Sequence, residues 1–87
     1  MKIRITHGSQ YVTQEDQDRA LAAAQKAFGT QWPEDEAYAS YQRQTRWTPG
    51  HSCCAAGGAW HHAERAADIA LTQGWEDIDG ASCELYV

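Results

Sequence analysis

The sequence predicts an α+β fold: a ferredoxin-like split βαβ domain of order β-α-β-β-α-β, in which a four-stranded antiparallel sheet carries two helices on one face. Three observations predict it. The two ends of the chain, KIRIT at 2–6 and ASCELYV at 81–87, alternate apolar and polar side chains with the period of a strand. Two alanine-rich stretches between them have helical spacing. Finally, TQWPEDEAYASY after the first helical stretch recurs in part as TQGWEDIDGASCELY after the second, the form expected of two βαβ halves. The plainer reading of that last match is two acidic connections that each lead into a strand. With 87 residues the chain is a single domain, 1–87.

The first strand, residues 2–7, turns Ile3 and Ile5 inward and Lys2, Arg4 and Thr6 outward. Thr13 then precedes Gln14, Glu15 and Asp16, so a hydroxyl caps the free N–H groups of a helix while two carboxylates meet its positive end. That helix carries Leu21, Ala24 and Phe28 on one stripe and ends at Gly29 as a left-handed cap. Pro33 and three acids in TQWPEDEA are expected to stop any helix, and YASYQRQTRW, rich in β-favouring residues, is the expected second strand, 37–47. TPGHS is a turn, CCAA a short third strand. AWHHAERAADIALTQ places Trp60, Ala63, Ala67, Ala70 and Leu71 on one helical face, with Gly74 as its stop. In the last strand Cys83, Leu85 and Val87 point inward. Both helices have alanine faces that would let them sit close on a sheet.

Composition narrows the function. Twelve acidic against seven basic side chains leave a formal charge of -5, which disfavours direct nucleic-acid binding and favours a protein partner with a basic surface. MKIRIT lacks the apolar core of a signal peptide, and no tract is long enough to span a bilayer, so no membrane partner is expected. Three cysteines, two of them adjacent, argue against a disulfide framework and for reduced thiols in the cytoplasm. The candidate partner-binding residues lie in two acidic segments, each beside a tryptophan: Trp32 with Glu34, Asp35 and Glu36, and Trp75 with Glu76, Asp77 and Asp79. Their structural alternative is solvated connections whose tryptophans pack on helix ends.

HSCCAAGGAWHH, residues 51–62, concentrates His51, Cys53, Cys54, His61 and His62. Adjacent thiols on a strand point to opposite faces, adjacent histidines on a helix diverge by about 100°, and no C-x2-C spacing occurs, so the expectation is a structural segment with no metal, no cofactor and no catalytic residue. The Gly57-Gly58 pair then marks a strand-to-helix junction. Two alternatives stand beside it. One is a Cys/His metal or thiol-active site, which would need these residues to converge, or Ser52 to cap a longer helix with two interior glycines. The other is a nucleic-acid binder with the RNA-recognition topology, reading through an open sheet face of Lys2, Arg4, Glu84 and Tyr86 with Tyr38, Gln42 and Arg46; the strands that should supply stacking aromatics have none. The edges of the second and fourth strands leave a homodimer open.

In size, acidity and single-domain plan the chain resembles small phage-encoded inhibitors such as anti-CRISPR proteins. The resemblance covers format alone and transfers no functional residue. It implies a cofactor-free binding domain that blocks a basic nucleic-acid-binding surface of a host complex.

Overall fold

The alternating segments at the two ends of the chain pair with each other as β1 (Lys2–His7) and β2 (Ser82–Tyr86), antiparallel strands of one sheet, in a computed structural model that describes residues 1–44, 55–73 and 80–87. Ile3 lies opposite Leu85 and Ile5 opposite Cys83, so the apolar sets of both strands share one face. Lys2 opposite Tyr86 and Arg4 opposite Glu84 share the other, where the Arg4 guanidinium stands 4.6 Å and the Lys2 ammonium 5.9 Å from the centre of the Tyr86 ring. The register slips between Ile5 and His7, leaving Thr6 in a bulge. Val87, expected to point inward, follows the end of β2 and is exposed.

The ferredoxin-like expectation is overturned. Among the described residues the sheet has two strands, and three helices lie between them: α1 (Gln14–Phe28), α2 (Glu34–Arg43) and α3 (Ala55–Leu71). A 3-10 turn (Ser9–Tyr11) links β1 to α1.

α1 starts as its sequence dictates. The Thr13 hydroxyl accepts from the Asp16 N–H and the Asp16 carboxylate from the Thr13 N–H, both at 3.1 Å, a reciprocal capping box. At its other end the chain leaves through Gly29 at φ 73° and ψ −149°, a positive-φ exit outside the left-handed helical region.

The expected second strand, 37–47, is α2 over its described part, and the reason lies in the residues just before it. Pro33 is the N-cap, where its missing N–H loses nothing, and Glu34, Asp35 and Glu36 fill the first turn at the positive end of the dipole. The Pro-plus-acid cluster is a helix start. Ala37, Tyr41 and Gln44 then repeat at i, i+4 and i+7 toward the core. The tyrosines that favour a strand are overridden by what their helical placement buries.

The expected third strand, 53–56, fails at its described end: Ala55 and Ala56 belong to α3, while Cys53 and Cys54 lie outside the described residues. Gly57 and Gly58 are therefore helix residues and not a junction. At Gly57 the end of the Gln44 side chain fills the space a Cβ would take: a Cβ built there would stand 1.9 Å from its nitrogen, so Gln44 would have to turn aside. The internal repeat does not mark duplicated structure either, since its first copy enters α2 and its second enters β2. With no strand in 37–44, the edge pairing expected of a second strand falls away there.

α3 is the centre of the molecule, packed on α1, on α2 and on β2. The alanine faces serve helix–helix contact: Ala20 and Ala24 of α1 and Ala63, Ala67 and Ala70 of α3 are all buried. Trp60, Leu71 and Leu85 are the largest fully buried side chains. Trp60 joins the three helices, meeting Phe28 of α1 edge-on at 5.8 Å and Tyr38 of α2 at 5.0 Å. Arg19 ties α1 to the end of α3, donating to the Ala70 carbonyl at 3.1 Å while paired with Asp16 at 2.8 Å.

Candidate functional site

Because α2 is a helix, Tyr38 and Tyr41, three residues apart, fall on one of its faces. Together with Gln42 they wall a groove of about 350 Å³, completed by Glu64 of α3 and by Thr6, Cys83, Glu84 and Leu85 of the sheet. Each ring is held by a neighbour as well as lining the groove. Tyr38 packs on Trp60, and Tyr41 stacks on His61 with centroids 6.3 Å apart and planes 27° from parallel.

The Tyr41 hydroxyl donates to Glu64 Oε1 at 3.0 Å. Burial pushes the Glu64 carboxyl above the usual carboxylate range, against the Tyr41 hydrogen bond that favours its charge, and Asp68 and Glu84 add repulsion. The Tyr41 phenol is pushed up to about 12, first by burial and then by the negative field of Glu64. One turn on, Asp68 Oδ1 accepts from both the Cys83 N–H at 3.2 Å and the Cys83 thiol at 3.3 Å, fastening β2 to α3. Burial, followed by the Asp68 carboxylate, raises that thiol to about 12. Cys83 is thus held in its neutral, unreactive form.

The electrostatic result is an unbalanced site. Glu64, Asp68 and Glu84 stand near one another, the groove lining contains no Lys, Arg or His, and the two ion pairs among the described residues, Met1–Glu34 and Arg19–Asp16, lie elsewhere. An acidic recess with aromatic walls can hold a cation that carries apolar or planar surface. No group of three or more His, Cys, Asp and Glu among the described residues could hold a metal ion.

The residues singled out from the sequence fall differently. Trp32 is half-buried against the core. Glu34 pairs with the Met1 ammonium, Asp35 Oδ1 accepts from the Glu36 N–H at 3.0 Å, and Asp35 and Glu36 are exposed on the first turn of α2. Trp75, Glu76, Asp77 and Asp79 lie outside the described residues, as do His51, Cys53, Cys54 and Arg46. His61 and His62 are neighbours on α3, one against Tyr41 and the other exposed. Lys2, Arg4, Glu84 and Tyr86 do share a sheet face, whereas Tyr38 and Gln42 belong to α2 and the groove.

Sequence reasoning missed Glu64 as a site residue and misplaced Tyr38 and Tyr41. The signal for the tyrosines was YASY at i, i+3, legible once the segment is taken as helical; Glu64 had no local signal, since only packing of α3 on α2 brings it to Tyr41. No protein-family model, curated protein or solved structure matches the chain. No helix among the described residues is long and apolar enough to cross a membrane.

Proposed function

We propose that the chain is a non-catalytic, cytoplasmic protein-binding module that docks on a basic surface of a protein partner. It would act by occlusion, as do the anti-CRISPR-like inhibitors whose format it shares, and the surface it would cover is a nucleic-acid-binding one. The observation that carries this reading is the groove between α2, α3 and the sheet, lined by two carboxylates and two phenols and by no Lys, Arg or His. The formal charge of -5 supports it, as do the exposed carboxylates of Asp35 and Glu36. Glu76, Asp77 and Asp79 join the reading on their charge alone.

The experiment is affinity capture from the source cells with the parent protein and Glu64→Gln/Glu84→Gln side by side, followed by binding measurements on the purified partner. The expected partner is basic, and its affinity falls at least ten-fold as salt rises from about 50 to about 300 mM, with the double variant weaker throughout. An affinity indifferent to salt and to both substitutions would sink the proposal.

A further inference from the structure

Building on the proposed basic partner, we infer that the groove is a receptor for one arginine side chain of that partner, its guanidinium against the Tyr38 and Tyr41 rings and paired with the Glu64 and Glu84 carboxylates. Three features of the site select this ligand. The volume, about 350 Å³, lies at the small end for ligand sites and suits one long side chain. The rings are preorganised, Tyr38 by Trp60 and Tyr41 by His61, so a planar cation finds its stacking surface already in place. The Tyr41 hydroxyl occupies Glu64 Oε1 and so orients that carboxylate, whose second oxygen accepts no hydrogen bond among the described residues.

Arginine fits better than lysine for a geometric reason. Its flat guanidinium stacks on an aromatic face while its N–H fork reaches two acceptors, here the Glu64 and Glu84 carboxylates; an ammonium is a compact, strongly hydrated charge that cannot do both. Glu64 and Glu84 take part in neither ion pair among the described residues; the nearest cationic groups the structure gives them are His61 beside Glu64 and Arg4 opposite Glu84 in the strand register.

Binding is tied to pH through Glu64. The groups facing it are Tyr41 from α2, His61 and Asp68 from its own helix, and Glu84 from β2. Burial and the carboxylates of Asp68 and Glu84 favour its proton, while the Tyr41 hydrogen bond and charge on His61 favour its loss. An arriving guanidinium adds to the second set. Affinity is therefore full above the raised Glu64 value, falls as pH drops through it, and in that window binding releases a proton.

The test is a titration of the isotope-labelled full chain with N-acetyl-arginine-N-methylamide and, separately, its lysine counterpart, at matched ionic strength, read by amide chemical shifts. Arginine should perturb Tyr41, Gln42, Glu64 and Glu84 and bind about ten-fold more tightly than lysine. Glu64→Gln keeps an acceptor for the Tyr41 hydroxyl, and it should weaken arginine binding about ten-fold and remove the part of the acid-side loss that comes from Glu64, leaving that of Glu84. Equal binding of the two probes would overturn the arginine assignment while leaving the basic-partner reading intact. Absence of any groove response would overturn the inference outright, and the salt series on the captured partner decides the broader reading independently.

Discussion

A single oxygen of Asp68 accepts both the N–H and the thiol of Cys83, and the sulfur is buried where it does so. The folded state therefore holds the thiol proton to about 12, whereas an unfolded chain releases it near the ordinary value for cysteine, about 8.5–9. Between those values the unfolded state binds fewer protons than the folded one, so stability falls as pH rises. From pH 8 to pH 9.5 the loss from this one group is about 1 kcal/mol, and Tyr41, also raised to about 12, adds to it above pH 10. Cys83→Ala should remove that slope and leave the Asp68 bond to the backbone. Urea midpoints at the two pH values check it: parallel losses in parent and variant would mean that Cys83 does not carry the effect.

At the scale of elements, α2 and α3 meet through a glycine. Alanine at position 57 gains up to about 1 kcal/mol of helix propensity in isolation. Here its Cβ would occupy the place of the Gln44 amide, which also donates to Ser40 Oγ at 3.3 Å, so the side chain would have to leave its half-buried site. That amide is the far end of a flexible side chain and can swing aside at little cost, so Gly57→Ala should be close to neutral, the gain in propensity offset by the lost Ser40 contact. In a Gln44→Ala background the same substitution should become stabilising, by up to about 1 kcal/mol. Thermal melts of the four proteins in this cycle give the answer, and additivity would show that the two positions do not compete for space. The acids at the start of α2 belong to this scale too. Glu34, Asp35 and Glu36 complement the helix dipole, and Glu34 also holds the Met1 ammonium, so charge reversal there perturbs the fold as well as any partner contact.

Across the whole molecule, the first and last strands close the structure over α3, and their two apolar faces are not equally buried. Leu85 is fully buried, while Ile3 and Ile5 are partly exposed. A carboxylate in place of Leu85 would be unpaired and dry, at a cost of the order of the domain's entire stability, about 5–10 kcal/mol. Leu85→Asp should unfold the protein, and Ile5→Asp should lower its stability by about 1–3 kcal/mol while leaving it folded. Near-UV circular dichroism of the tryptophan and tyrosine bands reports the outcome. A native spectrum for Leu85→Asp, or equal losses for the two variants, would contradict the burial assigned to the sheet.

What the sequence determined by itself are the features whose cause is local. The alternation of Ile3 and Ile5, the Cys83 and Leu85 face, the Thr13 cap with Asp16, and the stripe from Trp60 to Leu71 are each produced by neighbours within a few residues, and the structure has all of them. The tertiary structure decided whatever needed a distant partner. Residues 37–43 have strand-favouring side chains, but they form α2 because Pro33 and the acids start a helix there and because Ala37, Tyr38 and Tyr41 then gain a face to bury against the core around Trp60. Gly57 lies inside a helix, where Gln44 from another element fills the space beside it. The candidate site is of the second kind throughout: Tyr41 and Glu64 are 23 residues apart, and β2 adds Glu84 from the end of the chain. Long-range burial brings those groups together, and no spacing along the chain records it.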